Sequence, residues 1–444
     1  MTFIKKHIYI PAALILFSAC KPDIKTPALT KGSADFSRYI SIGNSLTAGY
    51  ADGGLYLAGQ QVSYPSIIAN QMKSVGGGTF TQPLFDAAQA NGSGYLTLAG
   101  LTKTGLPITA NVTSNLAIRD SIVFFGHKTI LYTKYTGGDI NNFGVPGIKL
   151  NDLNNPYYGN LNGFFERLLP GNAPANTATS YLQFITAKPF TFFSNWLGNN
   201  DALGYATSGG AGDLLTDTLV FKSYYQQLIT ALTSNKAKGV VATVPDVTSI
   251  PYFNTVTTGA VLVGVQQALP QANIKALYIN ALSSPSASGY YSARPATSKD
   301  LLILTFNTGL LGQPVAAAGG LPYGLTPYTP IDNQYVLDQN EVILTQTYVN
   351  SFNNTIKSVA ASNGLAVFDA YTFLNNIKAN GLLEDGVSLN SNYISGGIFS
   401  LDGVHLTPRG YAIVANEFIK AINSKYGSNI PLTNITNYTG VKFP

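Results

Sequence analysis

A serine, a histidine and an aspartate can together cleave an ester. The hydroxyl attacks the carbonyl carbon, the imidazole takes its proton, the carboxylate orients the imidazole, and N–H donors hold the oxyanion. The chain carries only three histidines in 444 residues, so the base of such a site can be sought directly. His7 lies in a leader described below, which leaves His127 in "FFGHKTI" and His405 in "DGVHLTP". His127 has apolar neighbours and no carboxylate near it in sequence, and reads as structural. Asp402 stands three residues before His405 in a Gly-containing loop, a spacing at which the carboxylate can accept from the imidazole and fix its tautomer. The competing reading is a surface loop in which Asp402 opens a turn.

The serine is Ser45 in "YISIGNSLTAGY", Tyr39 to Tyr50, where a strand-like run breaks at Gly43-Asn44 just before a helix start. Gly, Asn and Ser are ordinary turn chemistry, so Ser45 is either a turn residue or a nucleophile. For the oxyanion, "NNFGVPGIKL" puts Gly147 after a proline, where a bare backbone N–H can face a carbonyl. "LGNND" puts Asn200 at the end of an apolar run, with a side-chain amide to offer. Taken singly, each also reads as a turn or a cap.

Elements must hold these residues in place. Arg38 to Ile42 reads as a strand, Ser63 to Lys73 as an amphipathic helix, and Thr79 to Leu131 as an irregular excursion or small hairpin layer. Phe190 to Asp201 is an apolar run entering a polar turn. In the helix predicted over Phe221 to Leu232, Tyr225, Leu228, Ile229 and Leu232 share a face. "GVVATVPDV", Gly239 to Val247, reads as a buried strand. Ser249 to Asp332 reads as a second excursion, inserted on the main fold because regular alternation resumes behind it. A helix over Gln339 to Ala361, a strand over Leu365 to Asp369 and a short helix over Tyr371 to Ala379 follow. In the last helix Thr407 caps, Pro408 takes the first position, and Val414, Phe418 and Ile422 align. Strands separated by helices predict a three-layer α/β/α fold around a mainly parallel sheet, with reactive groups at the carboxyl ends of its strands.

Composition narrows the setting. Only 11% of residues are charged, against roughly 25% in ordinary soluble proteins, so polar uncharged residues must cover the surface, as suits a protein outside the cytoplasm. Lys5 and Lys6 precede an apolar stretch, Ile8 to Phe17, ending in "FSAC"; residues 1–19 read as an export signal too short to span a bilayer. The only cysteine, Cys20, follows in "LFSAC", which resembles a relaxed lipobox, and residues 20–36 then read as a lipidated cysteine and polar tether. The alternative is a buried free cysteine. The lone cysteine also excludes an intramolecular disulfide and any multi-cysteine metal site. Loss of Lys5 and Lys6 lowers the formal charge of +5 by two, and no Lys/Arg cluster remains, which argues against a nucleic-acid partner.

The blocks taken in order, "GNSL", "GVPG", "GNND" and "DGVH", resemble those of the SGNH hydrolases, also called the GDSL lipase/esterase family. The resemblance runs from Tyr39 to about Tyr426, the last block being the most specific, and "VVATVPDVTSIPYF" is similar to a family strand and its loop. It implies Ser45 as nucleophile, His405 as base and Asp402 as its orienter. The oxyanion hole would comprise the Ser45 N–H, the Gly147 N–H and the Asn200 amide, with no metal or organic cofactor. It further implies one flavodoxin-like α/β domain over residues 37–444, carrying insertions at about 79–131 and 249–332. The family aspartate before the serine is Asn44 here, a residue that supports the turn.

The expected activity is acyl or acetyl ester hydrolysis through an acyl-enzyme, by a lipid-anchored protein of a bacterial cell envelope, on a lipid, an acylated glycan or a small ester. "GYADGGLY", Gly49 to Tyr56, and the second insertion would shape the mouth of the cleft. Rival readings are an O-acetyl esterase or transferase acting on polysaccharide, a non-catalytic surface lipoprotein that binds glycan or lipid, and a metal site. The last is disfavoured by the scarcity of histidine and cysteine.

Overall fold

The run YISIG at Tyr39–Gly43 (β1) is buried along its whole length, as a strand covered on both faces must be. Four more strands join it: Asn142–Gly144 (β2), Phe192–Trp196 (β3), Lys238–Ala242 (β4) and Ala366–Phe368 (β5). The five lie in the order β2-β1-β3-β4-β5 and every pair is parallel. The computed structural model describes residues 28–102, 107–174 and 178–444. The expected export signal, Cys20 and the tether as far as residue 27 lie outside the described residues.

Helices cover both faces. They are Ser45–Ala48 (α1), Tyr64–Met72 (α2), Asn200–Thr207 (α3), Thr218–Thr233 (α4), Gln339–Ser362 (α5), Ala370–Asn380 (α6) and Pro408–Tyr426 (α7). On one face α2 and α7 meet through stacked Tyr64 and Phe418 rings 4.8 Å apart, and both rings pack on Trp196 of β3. On the other, α4 and α5 join through Phe221 and Phe352, stacked at 4.0 Å. The apolar spacing of α4 puts Phe221, Tyr225, Leu228, Ile229 and Leu232 inside. Caps set the helix starts: Asp217 accepts from Leu219 and Val220, Asp338 and Glu341 form a capping box, and Thr407 accepts from Gly410 ahead of Pro408. This is the three-layer α/β/α fold with a parallel sheet that the sequence predicts.

One difference from the sequence reading has a local cause. The strand predicted over Gly239 to Val247 stops at Ala242, because the N–H and C=O of Val244 turn away to the Asn353 side chain of α5, at 2.7 and 2.8 Å. The region from Thr79 to Leu131 holds two antiparallel hairpins, Tyr95–Leu101 with Pro107–Val112 and Ile118–Phe124 with His127–Tyr132; neither joins the central sheet. Their faces are largely exposed, so apolar alternation there is weak. The region from Ser249 to Asp332 contributes a helix at Thr258–Ala268 and a ribbon of Tyr278–Leu282 with Tyr291–Pro295. No helix among the described residues is long and apolar enough to cross a membrane.

In this strand order the chain changes direction across the sheet between β1 and β3. The loops leaving those two strands diverge, and a crevice opens at their carboxyl ends. Ser45 follows β1, and Asn200 follows β3.

Candidate active site

The turn that carries Ser45 is fixed from several sides. Asn44 caps α1 by accepting from the Leu46 N–H at 3.1 Å, Gly49 ends the single turn with a φ of 86°, and the Thr47 hydroxyl lies 2.9 Å from that of Tyr64 on α2. The turn also rests on β2. A Cβ on Gly144 would lie 2.3 Å from the Ala48 backbone nitrogen, so only glycine lets β2 pass beneath α1. Ser45 is 7% exposed.

The loop before α7 brings the other two residues. His405 Nε2 is 2.9 Å from Ser45 Oγ, and His405 Nδ1 is 2.8 Å from Asp402 Oδ2. The loop is pinned by the Ser400 N–H donating to the His405 carbonyl at 2.8 Å and by the Thr407 cap behind it. Asp402 also accepts from the backbone N–H groups of His405, Val404 and Gly53 at 2.8 to 2.9 Å, and from the Ser400 hydroxyl at 3.2 Å. Burial alone would push this carboxyl up. The His405 imidazole and the N–H donors outweigh it and hold Asp402 well below the usual carboxylate range.

The Tyr50 ring packs on the imidazole with centroids 4.6 Å apart, its N–H donates to the Ser45 carbonyl at 3.0 Å, and its phenol is kept neutral, first by burial and then by Asp402. Asp52 ties this segment to the histidine loop: it accepts from the Leu401 N–H at 3.0 Å and the Tyr56 hydroxyl at 2.8 Å, while its own N–H donates to Ser400 at 2.9 Å. Burial, followed by the repulsion of Asp402, raises its carboxyl above the ordinary value despite those donors. The roles of Tyr50, Asp52, Gly53 and Ser400 in holding the histidine escape sequence reasoning. The only available signal is an aspartate in the Gly-rich turn "YADGG", and its partner lies about 350 residues away.

Asn200 opens α3 and donates through Nδ2 to the Ile148 carbonyl at 2.9 Å, which leaves its second amide hydrogen for another acceptor. Gly147 is the exposed neighbour of Ile148, at a φ of 84° that other residues seldom adopt. The structure thus gathers Ser45, Asp402, His405 and Asn200, with Gly147 on the adjoining loop after β2. His127 is exposed beside a hairpin turn and takes no part in this cluster.

Two cavities meet at His405. A small pocket of about 50 Å³ is lined by Asn44, Ser45, Asn199, Asn200, Leu203 and Leu374 among others. A cleft of about 1440 Å³ opens beside Tyr50, Asp402 and His405, with walls from Leu96 of the first hairpin and Tyr252 and Val261 of the second insertion. Both segments expected at the mouth therefore line it. Among the described residues no group of three or more His, Cys, Asp or Glu side chains could hold a metal ion.

No protein-family model and no curated protein matches the chain. Among solved structures it is similar to an α/β hydrolase enzyme from the metagenome of Lake Arreo, Spain, at 10% identity and a TM-score of 0.34 over 88% of this chain and 96% of that one. It is also similar to a lipase/acylhydrolase from Enterococcus faecalis, at 12% identity and a TM-score of 0.32 over 89% of this chain and all of the other.

Proposed function

We propose that this chain is a serine ester hydrolase of the SGNH type, working through an acyl-enzyme. The observation that carries the reading is the continuous relay from Ser45 Oγ through His405 to an ionised Asp402, beside a cleft large enough for a substrate. His405 Nε2 takes the Ser45 proton as Oγ attacks the ester carbon, and Asp402 stabilises the imidazolium that forms. The oxyanion receives the Ser45 N–H, the Asn200 amide and the Gly147 N–H. His405 then returns the proton to the leaving alcohol. A water molecule, deprotonated by the same imidazole, releases the acid. Asn44 leaves the chemistry to its neighbours, since it serves the turn as a cap.

The same proposal gives the protein a lipid anchor at Cys20 and a place in a bacterial cell envelope, on the strength of residues 1–20 alone. It is tested by labelling the mature domain with a fluorophosphonate and following p-nitrophenyl acetate hydrolysis, beside Ser45→Ala. Labelling at Ser45 and turnover, both lost in the variant, are expected; a wild-type protein that neither labels nor turns over overturns the reading.

A further inference from the structure

The two cavities differ about thirtyfold in volume and touch different parts of the relay. Resting on the hydrolase reading, we infer that they divide the substrate: a short acyl group enters the small pocket, and a bulky uncharged alcohol lies in the large cleft. Acyl transfer fixes which side is which. The carbonyl carbon must reach Ser45 Oγ while its oxygen meets the Asn200 amide, so the acyl group occupies space bounded by both residues. The small pocket is lined by both, whereas neither lines the cleft. The leaving oxygen must face His405 Nε2, which protonates it, and beyond His405 lies the cleft.

The pocket sets the acyl length. The pocket holds about 50 Å³ against about 1440 Å³ in the cleft, so a short acyl group such as acetyl or propionyl fits it better than a long chain does. Leu203 of α3 and Leu374 of α6 are among its walls. Leu46, Val247, Ile250 and Leu406 line it beside those leucines, so its walls are largely apolar and size, not polarity, limits the acyl group. The cleft suits the opposite part. Its walls include Leu96, Val261, Val265, Phe306 and Tyr252; among the described residues Asp402, already held by His405, is its only carboxylate, and none of those lining it is a lysine or arginine. In the reaction the bond from the acyl carbon to the alcohol oxygen breaks as the bond to Ser45 Oγ forms, and the Ser45 proton leaves with the alcohol through His405.

Octyl acetate and ethyl octanoate are isomers, with the long chain on the alcohol in one and on the acyl group in the other, so they separate the two arrangements at nearly constant hydrophobicity. Acid release is measured for both, with fluorophosphonate labelling of Ser45 in parallel. Octyl acetate is expected to show a kcat/KM at least about tenfold higher. Leu203→Ala and Leu374→Ala should each narrow that ratio several-fold by opening the pocket; Leu203 is half-buried, so its variant stays informative if the loss of Leu374 unfolds the domain. A labelled enzyme that prefers ethyl octanoate, or that labels but turns over neither ester, overturns the division of the substrate alone. A protein that neither labels nor hydrolyses overturns the hydrolase reading with it.

Discussion

His405 Nε2 lies 2.9 Å from Ser45 Oγ across 360 positions of chain, and this one contact joins the first strand of the sheet to the loop that starts the last helix. Ser45 directly follows β1, which has strands on both sides, and His405 directly precedes α7, which packs against Trp196. The contact is therefore held by the core and does not depend on the loop alone.

Ser45→Ala and His405→Ala should each lower kcat by about four to six orders of magnitude on p-nitrophenyl acetate, with circular dichroism unchanged. Residual activity within tenfold of wild type in either variant would remove that residue from the chemistry.

Asp402→Asn should cost about 10⁴ in kcat. The asparagine oxygen can still accept at the Oδ1 position, from the Val404 and His405 N–H groups. Its NH₂, however, would face donors now satisfied by Oδ2, namely Gly53 N–H and His405 Nδ1, and the imidazole would be held in the wrong tautomer. The loop should loosen as well, so thermal melting should fall with activity. Unchanged kcat with a lowered melting temperature would make Asp402 purely structural.

Asn200→Ala removes the amide proposed as an oxyanion donor and should lower kcat by about 10²–10³ while KM changes little. A rise in KM with kcat intact would mean that the amide binds substrate before the transition state forms.

Gly144→Ala should abolish most activity without touching any reacting group. The added Cβ would meet the backbone of Thr47 and Ala48 at 2.3 to 2.8 Å, which cannot give way as a side chain can, so the turn carrying Ser45 must shift. Retained labelling of Ser45 at the wild-type rate would contradict this.

Stability should fall as pH rises from about 4.5 to 8. The buried Glu341 carboxyl is pushed up to about 8, first by burial and then by Asp338, from an ordinary value near 4.5. Across that window the folded chain keeps a proton that the unfolded chain has released, so raising pH favours unfolding. Asp402, held low, titrates below the window and adds no slope there. Glu341→Gln should flatten the decline, read from urea midpoints at pH 5 and 8; equal slopes in both proteins would refute the assignment.

The local elements were legible in the sequence because their signals are local. Thr407-Pro408 cap a helix, the spacing of Phe221, Tyr225, Leu228 and Leu232 marks one face, and the scarcity of histidine narrows a base to His127 or His405. The Asp402–His405 pairing was legible for the same reason, since three residues separate them. The elements least visible were the two hairpins after Thr79, whose exposed faces carry little apolar alternation, and the true end of β4, set by Asn353 reaching back from a helix more than a hundred residues later. Only the tertiary structure decided that Ser45 meets His405, that Asp52 and Gly53 brace the histidine loop, and that two unequal cavities share the imidazole. Spacing and caps act over a few residues and can be read along a chain. A cavity is the space left between elements distant in sequence, and only packing determines its size.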